Sequence, residues 1–193
     1  MRIIRAADCR RMPWKNGGGE TTEIAVSPPV AGLDDFDWRL SMARVESSGP
    51  FSMFPGIDRT LAILDGEGII LHVEDRIPFG LTGKSDPLPF PADVPTRANL
   101  VAGAVTDLNM MTRRGRRRHS VERIDFTGSS DVDLDASEIL LFCHFGSIRV
   151  LHADESVLLN PLDTIHIEHA QANLRLEADG RAALFLILIE ADA

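Results

Sequence analysis

Apolar residues along the chain recur with a period of two or gather in short unbroken runs, and the runs stop at Gly, Pro, Asp or Asn. A period of two sends alternate side chains to opposite faces, so this pattern predicts half-buried β-strands, while the unbroken runs predict strands buried on both faces. The clearest segments are residues 38–45 (WRLSMARV), 59–64 (RTLAIL), 68–73 (GIILHV), 139–145 (ILLFCHF), 147–151 (SIRVL) and 182–189 (AALFLILI). No long stretch carries the roughly 3.6-residue period of an amphipathic helix. Many short strands between turn signals predict an all-β fold, a sandwich or a barrel.

The chain also resembles itself. Residues 66–75 (GEGIILHVED) align without a gap on residues 146–155 (GSIRVLHADE), each copy following a strand-like apolar run. Downstream, Phe90-Pro91-Ala92-Asp93 has a counterpart in Asn160-Pro161-Leu162-Asp163. A duplicated jelly-roll half explains both matches and their order; two unrelated hairpins that reuse one turn chemistry are the alternative. Between the copies, residues 113–119 (RRGRRRH) hold too little apolar content to pack and read as a solvated connector. The expected halves are therefore residues 1–115 and 116–193.

Composition narrows the partners. With 193 residues and 44% hydrophobic content the chain can bury a real core. A net charge of -9 and a pI near 5.1 argue against broad attraction to nucleic acid or to an anionic membrane, both polyanions. The arginine run invites a nucleic-acid reading, but it lacks interleaved aromatics, and no nucleic-acid partner is expected. Cys9 and Cys143 stand far apart in no metal or redox spacing, which fits buried thiols in a reducing cytoplasm. The first residues carry no apolar leader, and no apolar run approaches the ~20 residues of a spanning helix, so neither export nor a membrane partner is expected.

Four blocks in the first half carry a family resemblance: residues 12–25 (MPWKNGGGETTEIA), 36–43 (FDWRLSMA), 49–60 (GPFSMFPGIDRT) and 107–115 (DLNMMTRRG). Together, in this order, they resemble the HutD/Ves family. The resemblance implies a bicupin, two jelly-roll β-barrel halves of the RmlC-like cupin type. It also implies an association with histidine utilisation, and it brings no assigned reaction.

Metal-dependent cupins carry an early Gly-x5-His-x-His-x3-4-Glu segment and a later Pro-x-Gly-x2-His segment, because a divalent ion needs several imidazole and carboxylate ligands converging from neighbouring strands. Here the first is represented only by Gly66, His72 and Glu74, and again by Gly146, His152 and Asp154; Pro161, Asp163 and His166 are part of the second. Every fragment lacks a ligand, so no metal and no cofactor is expected. His72 and His152 read as solvated turn histidines, and His166 and His169, three apart in a β context, point to opposite faces.

A stronger constellation lies on the polar strand faces. Arg39 and Ser41 share one face of their strand, with Trp38, Leu40 and Met42 on the other; Asp107 and Asn109 share a face of theirs. If both faces look into the first barrel they bring together a cation, a hydroxyl, a carboxylate and an amide, with Arg59 expected as a second guanidinium at the rim. Arginine suits such a site because its planar fork grips a carboxylate with two hydrogen bonds. The alternative is the ion-paired solvent face of a sheet. Asn16-Gly17-Gly18-Gly19 is no Walker loop, since Lys15 lies on its wrong side; it reads as a tight turn or as a lid turning Asn16 and backbone amides to a ligand. No nucleophile motif is present.

The expected function is metal-free binding of a small anionic metabolite by Arg39, Ser41, Arg59, Asp107, Asn109, Asn16 and Glu23. The resemblance suggests a sensor or modulator of histidine catabolism, with urocanate, formiminoglutamate or formylglutamate as candidate ligands. An isomerase or hydrolase using Asp107 or Glu23 as acid/base is the enzyme alternative, with catalytic residues otherwise unassigned; a partner-binding protein is the third class, and a homodimer is left open.

Overall fold

The computed structural model describes residues 1–15 and 17–192, the side chains of residues 169–172 excepted. Among these residues the strands run, in chain order, β1 (Arg2–Ile4), β2 (Arg10–Pro13), β3 (Gly19–Ser27), β4 (Trp38–Val45), β5 (Gly49–Pro50), β6 (Ile57–Asp65), β7 (Ile69–Val73), β8 (Phe79–Leu81), β9 (Leu88–Pro91), β10 (Thr96–Leu100), β11 (Val105–Arg113), β12 (Arg117–Phe145), β13 (Ile148–His152), β14 (Glu155–Leu159) and β15 (Thr164–Ala191). One short helical turn, Ala6–Asp8, follows β1. The all-β expectation holds, and no helix among the described residues is long and apolar enough to cross a membrane.

The chain divides into two compact units, residues 10–118 with Asp192, and residues 1–9 with 119–191. In the first, a six-stranded sheet of order β2-β3-β4-β11-β6-β9 and a four-stranded sheet of order β5-β10-β7-β8 supply the core. Ala43, Leu61, Ile63, Ile69, Leu71, Phe90 and Val105 meet there, and fully burying an aliphatic or aromatic side chain of this size is worth about 1.5–3 kcal/mol. The opposite face of the large sheet is buried too, at Trp38, Leu40, Leu108 and Met110.

In the second unit β1, β15, β13 and β14 form one sheet, with β12 paired to β15. Its core is apolar, with Ile139, Leu141, Cys143, Ile148, Val150, Leu159 and Leu184 packed together. β12 has 29 residues, and a straight strand of that length would extend over roughly 95 Å. It does not stay regular: Gly128 takes φ +78°, a conformation open to glycine at no steric cost.

Relative to the expected halves, the first nine residues belong to the later unit. β1 is antiparallel to β15, with Arg2 opposite His166 and Ile4 opposite Thr164. Asp163 fixes this return: its carboxylate accepts from Arg5 Nη1 at 2.7 Å and from the backbone N–H groups of Ala6 at 2.9 Å and Asn160 at 3.1 Å. Burial alone would raise the Asp163 pKa, but these hydrogen bonds outweigh burial and the pKa is lowered. The clamp is therefore at full strength above the unfolded carboxylate value of about 3.9 and weakens as pH falls through the lower folded value. Asp163→Ala is expected to cost about 2 kcal/mol and to raise hydrogen exchange at the Arg2–Ile4 amides, with the Ile63 and Leu108 amides unchanged.

The internal repeat is real in position and wrong in register. β7 lies between β10 and β8, and β13 lies between β15 and β14, so the two hairpins hold matching places in their sheets. Within them, however, Leu71 is buried between an exposed Ile70 and a half-buried His72, whereas in β13 the buried residue is Val150, and Leu151 is half-buried. The matching pairs are Ile69 with Ile148 and Leu71 with Val150, so the ungapped alignment is off by one: the first copy has an extra residue between Gly66 and Ile69. Since a slip of one residue exchanges the faces of a strand, His72 and His152 are not equivalent. Gly66 and Gly146 do match. Both have positive φ, and a Cβ at either would stand 2.6 Å from Ala104 O or 2.8 Å from Arg181 O.

The arginine run also departs in part from expectation. Residues 114–116 are exposed, as a solvated connector should be, and form the turn between β11 and β12, but the arginines of the run are also tied to the fold. Arg113 donates to Phe36 O at 2.9 Å and Asp34 O at 2.8 Å and sits over the Phe36 ring; Arg114 pairs with Asp58 and Asp93; Arg116 pairs with Asp37 at 2.7 Å. The guanidinium forks find backbone carbonyls and carboxylates, which apolar content alone does not register. Asp93, held by Arg114 and by the Gly56 N–H, falls to a pKa of about 2.

Candidate functional site

Cross-strand registry assembles the site. Opposed residues in an antiparallel pair share a face, so each row of partners across the large sheet lies on one side of it. One row runs Val26, Arg39, Met111, Arg59, Phe90; the next runs Glu23, Ser41, Asn109, Leu61, Leu88; a third runs Thr21, Ala43, Asp107, Ile63. Ala43, Leu61, Ile63 and Phe90 belong to the core of residues 10–118. Arg39, Ser41, Arg59, Asp107 and Asn109 therefore face the barrel interior together, and a solvent-facing sheet surface is excluded.

The two arginines are held differently. Arg39, 5% exposed, donates from Nε to Glu23 Oε2 at 2.8 Å and from Nη1 to Ser41 Oγ at 3.2 Å. Its charge is already matched. A bulge between Glu23 and Ala25 shifts the β3 register beside this contact. Arg59 is equally buried, not at the rim, and among the described residues it makes one weak hydrogen bond, from Nη2 to Met111 Sδ at 3.4 Å. Its guanidinium lies 5.2 Å from the Phe51 ring centre, 5.3 Å from Phe54 and 5.9 Å from Phe90. Cation–π contacts of this kind hold a cation without neutralising it. Arg59 Nε has no hydrogen-bond partner among the described residues.

Asp107, 1% exposed, accepts from Asn109 Nδ2 through Oδ1 at 2.6 Å, while its Oδ2 is buried without a hydrogen-bond partner among the described residues. Burial pushes its pKa up to about 7, against the lowering effect of Arg59, Asn109 and the Ala43 N–H. Burial lowers Arg59 to about 10, opposed by Asp107 and assisted by Arg39. The interior thus presents one uncompensated guanidinium N–H and one uncompensated carboxyl oxygen. Unpaired buried polar atoms cost about 1–3 kcal/mol each, and each is a place for an ordered water or a bound group.

A family model described as HutD matches residues 6–186. The chain belongs to the HutD family. A relative from Pseudomonas putida, an uncharacterised 21.2 kDa protein in the hutC 3′ region, is 35% identical over 194 residues, covering 97% of each chain. Protein Ves of Citrobacter koseri is 39% identical over 124 residues, 62% of this chain and 63% of Ves. The solved structure of HutD from Pseudomonas fluorescens SBW25 superposes with a TM-score of 0.84 at 30% identity, over 100% of this chain and 99% of that one. A cupin 2 conserved barrel domain protein from Leptotrichia buccalis, at 10% identity and a TM-score of 0.60, shares the fold alone, over 97% of this chain and 100% of its own. This HutD-family chain is thus a cupin fold in two halves.

The remaining sequence candidates are not drawn into the site. Trp14 and Gly17–Gly19 help close the β2–β3 hairpin, with Gly17 N–H donating to Trp14 O at 3.0 Å and Trp14 N–H to Gly19 O at 2.9 Å. Gly19 is required there because a Cβ would stand 2.2 Å from Arg44 O. Asn16 lies outside the described residues. His72 contacts Asn99 at 3.2 Å, and His166 contacts Glu138 at 2.9 Å and Arg2 at 3.4 Å. The His169 side chain is outside the description. Among the described residues no three His, Cys, Asp or Glu side chains converge as a metal site would require, and Asp93 and Asp163, the acidic ends of the two Pro-x-Asp turns, are occupied as structural clamps. Sequence reading missed Phe51, Phe54, Phe90 and Met111. Met111 was available from its parity with Asn109; the three phenylalanines reach Arg59 from a loop and an edge strand, which no spacing reveals.

Proposed function

We propose that this protein binds a small carboxylate metabolite inside the first barrel and serves histidine utilisation in the cytoplasm as a sensor or modulator. The observation that carries the reading is Arg59: a buried guanidinium held by three phenylalanine rings, with no carboxylate at ion-pair distance and an unpaired Nε among the described residues. Such a group is prepared for an anion, which would convert an uncompensated cation into a charge-assisted pair. Arg59 is the anion receptor, Ser41 and Asn109 orient the ligand, and the Arg39–Glu23 pair borders it. Glu23, with 23% of its side chain exposed, marks the side from which the ligand enters. The hutC-region name of the Pseudomonas putida relative supports urocanate, formiminoglutamate and formylglutamate as first candidates.

A second reading is favoured by one observation, the near-neutral pKa of Asp107, which suits a general acid/base in a metal-independent isomerase or hydrolase. Calorimetric titration of the three metabolites, with each binder followed for turnover, tests both. Saturable binding without turnover is the expected result; conversion of a bound metabolite that stops in Asp107→Asn would replace it with the enzyme reading, and the absence of any binding would overturn both.

A further inference from the structure

We infer that the anion and a proton enter this site together: a carboxylate bound at Arg59 is accompanied by protonation of Asp107 at Oδ2. The inference rests on the binding reading above and adds its regulation.

The argument is one of charge in a closed space. From β4 the interior receives Arg39, from β6 Arg59, from β3 Glu23 and from β11 Asp107; Arg10 of β2, opposite Glu23, is exposed, and Arg113 at the end of β11 is spent on Phe36 O and Asp34 O. Across the barrel, Leu71 of β7 and Ala98 of β10 are buried, whereas the paired His72 and Arg97 point to the outer face. β8 and β9 have no titratable residue, and neither do Phe51 and Phe54. Arg39 is compensated by Glu23 at 2.8 Å. When Asp107 is ionised it compensates Arg59, the interior is neutral, and an incoming carboxylate adds an unmatched negative charge away from water, which is strongly unfavourable. When Asp107 holds a proton, Arg59 is the single uncompensated buried charge among the described residues, and a monoanionic head group restores neutrality.

The hydrogen-bond inventory gives the same answer. Oδ1 is occupied by Asn109, so the proton resides on Oδ2, the atom without a partner. A protonated carboxyl is a donor. Arg59 Nε–H and Asp107 Oδ2–H are then two unpaired donors on one interior face, coupled through their charges. An ionised Asp107 would instead turn an acceptor toward an acceptor. The proton comes from solvent and returns to it when the anion leaves, so nothing else is required for balance.

The test is calorimetric titration of formate and of N-formylglutamate between pH 6 and 8.5, repeated in two buffers of different ionisation enthalpy to count protons. At pH 8 the wild type should take up close to one proton per ligand, and its affinity should fall by up to about tenfold per pH unit above 7. Asp107→Asn should bind with no proton uptake and a flat profile. If the wild type binds with pH-independent affinity and no uptake, or if Asp107→Asn keeps the slope, the coupling is wrong while the binding reading stands. If neither probe saturates the wild type at pH 6, or if Arg59→Met binds both unchanged, the binding reading itself falls, and the coupling with it.

Discussion

Asp107→Asn is expected to leave the protein more stable than wild type at pH 8, by about 2–3 kcal/mol, and less stable by about 1–2 kcal/mol near pH 4. Asp107 is raised to about 7 in the folded state, against about 3.9 in the unfolded chain. A group with a raised folded pKa stabilises fully below its unfolded pKa, and that contribution is lost as pH rises through the folded value. Three pH units at about 1.36 kcal/mol each bound the loss at about 4 kcal/mol. Asparagine carries no charge and escapes this loss, while retaining an oxygen for the Asn109 amide. Its own buried amide nitrogen costs about 1–2 kcal/mol of the gain. Denaturant melts of both proteins from pH 4 to 8.5 measure the difference. A variant less stable than wild type at pH 8 would mean that Asp107 is a structural partner of Arg59 and not a strained functional group.

Arg59→Met should reduce carboxylate affinity by about ten- to a hundredfold, the loss of a charge-assisted hydrogen bond worth about 1.5–3 kcal/mol. Stability should change little or rise, because methionine keeps the apolar stem against Phe51, Phe54 and Phe90 and removes a desolvated cation. Arg39→Met should behave in the opposite way: it strands the Glu23 carboxylate at 23% side-chain exposure, so its main cost is to folding. The contrast separates the two arginines, which the sequence presents as equals. With Arg59 gone, Asp107 loses the charge that lowers its pKa and should titrate higher still.

The strands of the first barrel were legible because alternation is a local property: Arg39 with Ser41, and Asp107 with Asn109, lie two apart and must share a face. What alternation does not contain is which strands are neighbours. The β4-β11-β6 order that aligns Arg39, Met111 and Arg59 in one row comes from pairing across the chain, as does the Glu23 contact that neutralises Arg39. The repeat was visible through its glycines, Gly66 and Gly146, whose backbone conformation the turn demands, but an extra residue inside a hairpin leaves composition unchanged while it reverses the strand faces. The arginine run misled because its partners, Phe36 O, Asp37, Asp58 and Asp93, are contributed by three distant segments.

Met110 and Met111 provide the most direct measurement of the central claim, because they are adjacent in β11 and face opposite ways. Met111 lies between Arg39 and Arg59, with its sulfur 3.4 Å from Arg59 Nη2; Met110 pairs with Leu40 and Thr60 on the other face. With methyl-labelled methionine, titration of N-formylglutamate at pH 6 followed by NMR should move the Met111 methyl along a saturable curve and leave Met110 nearly still, and Arg59→Met should weaken that curve. A saturable shift of Met110 with Met111 unmoved would contradict a ligand in the barrel interior.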